Sequence, residues 1–460
     1  MFTQAIPTWL KGLEQERNVL AGFRAVFPGA TDHPLTLRLA GATLYRISLN
    51  GIFVHHGPAR GPHGFYRVDE MDLTHLVRPG VANVLAIEVA AYASCSYAYL
   101  NQPAFLQAEL EQSGAILAAT GDSSFAGRRL PERIQKVDRF SFQRPCAEAY
   151  RKNPDSDRWK FDSAAAFLNE PCVTLPARLL LPRRVAIPDY EVLPSLKCLR
   201  VGRVTPPPPD HPHHALLQPE IYTMMGSFLP EECELDLLGL YEACICTDTP
   251  PAPGEGSFAL HDFGHNLTGF IQLRVHCSKP ARLLACFDEV LVEGEIRRER
   301  SQTLALLYFD LQPGTYALEA IEPNTFRYLK LIHPDGGLEV EAVALREFAN
   351  PETARAAFTC SDPDLELIFE AGRQTFRQNA VDIYMDCPGR ERAGWLCDSY
   401  FTGQTEPLLC GGSTVETNFL ENFALPARWR SQARGVRTVC RSWWHPYRQL
   451  ITQWAPWLIR

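Results

Sequence analysis

Lysine and methionine are scarce: seven of the 45 basic side chains are Lys, and Met occurs five times in 460 residues. There is no basic surplus either, since 53 acidic groups leave a formal net charge of -8. Such a chain lacks the electrostatic footprint that phosphate backbones and anionic lipid surfaces select, so nucleic-acid and membrane partners are not expected. Long apolar runs are missing, and no stretch approaches the ~18 uninterrupted apolar residues of a membrane span. The opening MFTQAIPTWLKGLEQERNVL carries charges every few residues and no apolar leader core. The 14 cysteines are scattered without CxxC spacing, which leads to the expectation of reduced thiols in a cytoplasm. No internal repeat of fixed period is found. What is present is 46% hydrophobic and 10% aromatic, the composition of a core-forming protein. At roughly 150 residues per domain, about three domains are expected.

The first 120 residues read as β. Tyr45, Ile47 and Leu49 alternate with polar neighbours, Asn50-Gly51 suits a type I′ hairpin, and Ile52 and Val54 restart the pattern. Leu85, Ile87 and Val89 repeat it, as do Leu106, Ala108 and Leu110, with turns at Pro79-Gly80 and Ser113-Gly114. Short alternating strands at this spacing predict a sandwich or jelly roll. The polar, Arg-rich stretch from 121 to about 165 closes that domain. A second β region follows, with alternation at Ile271, Leu273 and Val275 and again at Leu329 and Leu331. Within it, TPPPPDHPHH (Thr205 to His214) reads as a stiff surface loop, because proline offers no ladder donor. A solvated polyproline segment is favoured there over a metal site built from its three histidines.

Helical signals begin near residue 355. Asp362 is placed as an N-cap with Pro363 at the first helical position, and Leu365, Ile368, Phe369 and Phe376 share one face. A second helix is expected from Ser413, with Glu416 completing a capping box. Between them runs DCPGRERAGWLCD, from Asp386 to Asp398. It gathers three carboxylates, two Arg and a Trp in thirteen residues, and its Cys-Pro-Gly turn sets the acidic groups on a loop where they can converge. Sugar sites need this combination, carboxylates for acid-base work and an aromatic ring for the apolar face of a pyranose. A surface loop with local Arg–carboxylate pairs is the plainer alternative. Cys387 and Cys397 lack His partners and read as small, partly buried fillers, not zinc ligands. His261 and His265 are expected to hydrogen-bond rather than ligate. Asp288-Glu289 either points into the site or ends a strand at a domain contact.

The run DCPGRERAGWLCD resembles the signature of bacterial α-L-rhamnosidases of the six-hairpin, (α/α)6-barrel type. FTCSDPDLELIFEAGRQTFRQNAVDIYM is similar to that family's first barrel helix. SLNGIFVHHGPARGPHGFYRVDEMDLTHLVRPGVANVLAIEV resembles its N-terminal jelly roll, and HDFGHNLTGFIQL, FDEVLVEGE and NTFRYLKL its β-sandwich. The likeness spans most of residues 35 to 425. It implies a multidomain β + α fold: a jelly-roll (galactose-binding-like) domain over 1–165, a β-sandwich over 166–352, and the beginning of the barrel over 353–460. It further implies an inverting hydrolysis of terminal α-L-rhamnosides, with no cofactor and no metal, and a rhamnose-containing glycoside as partner. Glu391 takes the place of the general acid. Asp386 and Asp398 hold sugar hydroxyls, Trp395 lines the sugar pocket, and Arg390 is assigned to substrate binding.

As an acid, Glu391 should have a raised pKa, with Arg390 and Arg392 directed elsewhere. The family's base comes from a later barrel loop, and about a hundred residues after 355 fall short of twelve helices. From Ala427 to Arg460 there are seven Arg, five Trp and no acidic residue, a shift read as a truncated or frameshifted end. Little or no activity is therefore expected of the 460 residues, with exposed helix faces. A non-catalytic carbohydrate-binding protein is the competing expectation.

Overall fold

The computed structural model describes residues 2–29, 33–207, 216–297 and 303–425. The histidines of TPPPPDHPHH and the Arg- and Trp-rich stretch from Ala427 onward lie outside the described residues.

Most of the described chain is strand, with few helices. The alternation read from the sequence is the alternation of burial. Tyr45, Ile47 and Leu49 in the strand Leu44–Leu49 are fully buried, and Asn50 and Gly51 take φ of 55° and 78°, as a type I′ hairpin requires. The strand Ile52–Gly57 then returns antiparallel. One sheet runs in the order Cys172–Thr174, Thr8–Leu10, Phe105–Gln112, Leu35–Ala42, Phe65–Asp72, Leu179–Pro182, with Ala115–Ala119 beside Phe105–Gln112. A second runs Ala126–Arg129, Val19–Pro28, Ala82–Ala91, Leu44–Leu49, Ile52–Gly57. Trp9, Leu37 and Leu106 of the first share one core with Phe23, Ile47 and Ile87 of the second, so the sheets pack face to face.

A ten-stranded sheet forms the second β region around Ser257–Cys277, a 21-residue strand whose register shifts between Asp262 and Leu267. The shift lets one strand serve several partners, including Lys197–Thr205, Asn324–His333 and Leu338–Glu347. The two β regions are interlaced across the boundary expected at 165. Glu148–Lys152 already pairs in the ten-stranded sheet, whereas Cys172–Thr174 and Leu179–Pro182 return to the first. Each crossing strand sits at the end of a sheet, covering an edge that would otherwise expose unpaired backbone groups.

The helices are α1 (Pro219–Met225), α2 (Leu237–Glu242), α3 (Pro363–Asn379), α4 (Leu396–Cys410) and α5 (Thr414–Ala424). Asp362 caps α3 as expected, its carboxylate accepting from Asp364 N at 3.0 Å. The expected apolar face of α3 is only partly used: Phe376 is buried, but Leu365 is 49% and Ile368 66% exposed. At α5 the expected capping box does not form, and Ser413 makes no side-chain cap bond. The buried Glu406 of α4 instead accepts from Val415 N and Glu416 N at 2.8 and 2.9 Å. A charged acceptor already desolvated in the core takes the orphan N–H groups that a surface Ser would otherwise serve.

Candidate active site

The segment from Asp382 to Asp398 leaves α3, turns at Cys387-Pro388-Gly389 and enters α4. It is held from below by arginines of the β regions. Arg60 grips Asp382 through Nη2 to Oδ1 at 2.6 Å and Nε to Oδ2 at 3.0 Å, and its Nη1 donates to Arg392 O at 2.7 Å. Arg144 Nη1 donates to Gly389 O at 3.2 Å. Arg392 is buried at φ 57°, a left-handed conformation rare for a long side chain, and donates to Pro323 O at 2.7 Å. Burial works against the Asp382 charge, yet Arg60 pulls its carboxyl down to about 2. Burial, then the neighbouring Arg144 and Arg60, lowers Arg392 from its ordinary value.

The expected site residues fall in two places. Asp386, Glu391 and Trp395 converge. Glu391 Oε2 accepts from Trp395 Nε1 at 2.9 Å and Oε1 from Arg390 Nη2 at 2.7 Å. Asp386 Oδ1 accepts from Ala393 N at 2.9 Å, closing the loop on itself, so Asp386 anchors the loop as well as facing the site. Asp398 does not sit on that loop. It lies in the first turn of α4, a helix starting at Leu396 that was not expected between the two helical signals, and it is exposed. A carboxylate there favours the helix start through the dipole.

The arginines do not both point away from Glu391. Arg392 does, but Arg390 pairs with it through a single nitrogen, on a side chain 53% exposed and therefore screened by solvent. Asp386 is pushed up to about 6 by burial and then by the charge of Glu391, against the pull of Ala393 N–H. Cys387 is more than a filler: its Sγ accepts from Glu391 N at 3.3 Å and donates toward Asp386. Cys397 is exposed, where partial burial was expected.

Sequence reasoning missed the residues that come from far away in the chain. Tyr97, which packs T-shaped against Trp395 at 5.7 Å, is one of them. Glu289, already singled out in the sequence, lies within reach of Gly389, and its Oε1 accepts from Asn266 at 3.3 Å. Asp288-Glu289 thus ends a strand at the contact with the Cys-Pro-Gly turn. Asp382, Arg60 and Arg144 carried no local signal beyond being charged, and only burial marks them. A cavity of about 140 Å³ opens beside the loop, with Tyr66, Tyr97, Tyr99, Gln102, Gly394 and Phe423 in its wall. His261 hydrogen-bonds Ser195 at 3.2 Å, His265 is exposed, and no metal-binding cluster occurs among the described residues. Among them, too, no helix is long and apolar enough to cross a membrane.

A carboxylate-bearing loop between helices, seated on a β-rich body, defines the class: residues 353–447 match the family model of the bacterial alpha-L-rhamnosidase 6 hairpin glycosidase domain. The resemblance to bacterial α-L-rhamnosidases read from DCPGRERAGWLCD is thereby borne out. The fold agrees. A GH78 family rhamnosidase of Bacillus sp. GL1 superposes with a TM-score of 0.77 at 17% identity, over 90% of this chain and 62% of its own. The α-L-rhamnosidase of Aspergillus terreus gives 0.61 at 17% identity, over 91% and 44%. That of Streptomyces avermitilis, solved with L-rhamnose, gives 0.61 at 18%, over 88% and 36%. The chain therefore spans less than two thirds of the length of these structures. No curated protein matches it.

Proposed function

We propose that this chain is a glycoside hydrolase of the α-L-rhamnosidase type, acting on terminal α-L-rhamnosides by inversion. The observation that carries the reading is the convergence of Glu391, Asp386 and Trp395 on a loop inside the segment that matches the rhamnosidase domain. Glu391 is the general acid. Its ion pair with Arg390 is single and solvent-exposed, so a sugar entering the site can displace it at small cost. Asp386, protonated below about 6, then serves as a hydroxyl ligand that can both donate and accept. Trp395 offers an aromatic face on which a pyranose ring packs. Inversion needs a second carboxylate to activate water, ~6.5 to 9.5 Å from the acid. The L-rhamnose bound in the Streptomyces structure supports the sugar assignment.

The test is hydrolysis of an aryl α-L-rhamnoside by the chain and by Glu391→Gln, with the anomer of released rhamnose followed by NMR. Turnover that is lost in Glu391→Gln and releases the β-anomer first supports the reading and overturns the expectation of an inactive chain. L-rhamnose binding without turnover in either protein would instead favour a carbohydrate-binding role.

A further inference from the structure

Glu391 is not positioned by its own loop alone. Its Oε2 is fixed by the indole of Trp395, and the indole in turn meets the edge of Tyr97 at 5.7 Å with the rings 86° apart. Tyr97 belongs to the loop that follows the strand Ala82–Ala91 of the first β region. That loop is rigidly held by contacts with both β regions. Tyr97 N donates to Gln143 O at 2.6 Å, Cys95 N to Met225 O at 3.0 Å, and Arg139 Nη2 to Cys95 O at 2.7 Å. Two residues on, Tyr99 donates its hydroxyl to Glu322 at 2.7 Å. The Tyr97 ring also meets Phe142, T-shaped at 5.6 Å. These contacts and the backbone bonds of its loop hold the ring beside the indole that bonds Glu391.

We propose that Tyr97 is a positioning residue: by packing against Trp395 it fixes the indole N–H that holds the carboxylate of Glu391 in its working orientation. The inference rests on Glu391 being the acid of the proposed hydrolysis. It assigns to the first β region a part in the chemistry, reached through Trp395 and not through substrate. Burial and then the Glu391 charge push the Tyr97 phenol up to about 12, which agrees with a ring lying in the field of that carboxylate. An aromatic edge on an indole face contributes both contact and orientation, and misplacing a catalytic group by about 1 Å costs on the order of 10²-fold in rate.

Two measurements on the full chain decide it. In the first, Trp is replaced by 5-fluorotryptophan and the Trp395 resonance is assigned by its loss in Trp395→Phe. One sharp resonance is expected in the parent and in Tyr97→Phe, and a displaced or split one in Tyr97→Ala. An unchanged resonance in Tyr97→Ala overturns the proposal, whether or not the chain turns over substrate. In the second, Tyr97→Ala should lower kcat by about tenfold or more with KM within about twofold, and Tyr97→Phe should restore kcat. The Tyr97→Ala/Trp395→Phe double variant should be no slower than Trp395→Phe alone, since both act through one contact. Additive losses, or a loss confined to KM, would overturn it. Should Glu391→Gln retain full turnover while the Trp395 resonance still depends on Tyr97, the acid assignment fails and the packing role survives.

Discussion

At the scale of single residues, the two carboxyls of the loop differ in their surroundings. Glu391 meets Trp395 and a solvent-exposed guanidinium, whereas Asp386 is half-buried beside another negative charge. Its folded-state pKa of about 6 lies above the ~3.9 of an unfolded Asp. A raised value means that the folded chain binds this proton more tightly than the unfolded chain does. The resulting stabilisation is complete below about pH 4 and is lost as pH rises through 6. Compared with Asp386→Asn, which keeps an acceptor for Ala393 N but does not titrate there, the parent should lose stability between pH 4 and 7, as read by urea denaturation. Asp386→Ala goes further and leaves Ala393 N without its partner, a loss of about 1–3 kcal/mol at any pH. Sugar binding should also fall in that variant. Weakened binding with unchanged stability would show that the loop does not depend on this bond.

At the scale of elements, what was legible in the sequence was whatever local physics decides. Period-2 alternation located Leu44–Leu49, Ala82–Ala91 and Asn324–His333, and a Pro after an Asp located the start of α3. The helix α4 was not legible: Gly403 and Pro407 lie within it, and an interior proline reads as a breaker. Missing α4 put Asp398 on a loop. The start of α5 was placed correctly but for the wrong reason, because the Ser413-Thr-Val-Glu416 spacing is a local signal and the acceptor used, Glu406, comes from another helix. Glu406 also takes a hydrogen bond from the buried Tyr384 hydroxyl, and burial raises its pKa, countered by that bond and the two N–H donors. Glu406→Ala should therefore cost about 1–3 kcal/mol, more than an exposed cap, because it strands a buried phenol and two backbone donors together. Ser413→Ala should be nearly silent. Thermal melts of the two variants test the assignment, and a larger effect at Ser413 would restore the capping box.

At the scale of the whole molecule, the loop that carries Glu391 is tied to the β regions by buried charge. Arg60 is 14% and Asp382 5% exposed at the side chain, and Arg60 reaches both Asp382 and Arg392 O. Asn418 of α5 donates to Asp382 O at 2.7 Å, so one node joins a β-region loop, the segment after α3 and α5. No periodicity announces such a node, since Arg60 and Asp382 lie far apart in sequence and each looks like surface charge. Removing one partner leaves the other buried and unpaired, which costs about 3–5 kcal/mol, whereas removing both costs less than the sum. Arg60→Ala should lower the free energy of unfolding by that much, as read by urea denaturation, and Arg60→Ala/Asp382→Ala should recover part of it. The break should also be felt locally first. With Asp382 unpaired, the segment between α3 and α5 loses a buried ion pair with the β regions, while the sandwich core around Phe23, Ile47 and Leu106 is untouched. Limited proteolysis of Arg60→Ala should accordingly cut near residues 386–395 before the β regions yield, and L-rhamnose binding should weaken in parallel. Cleavage beginning instead in the β regions would mean that this node stabilises the fold as a whole and does not specifically dock the loop.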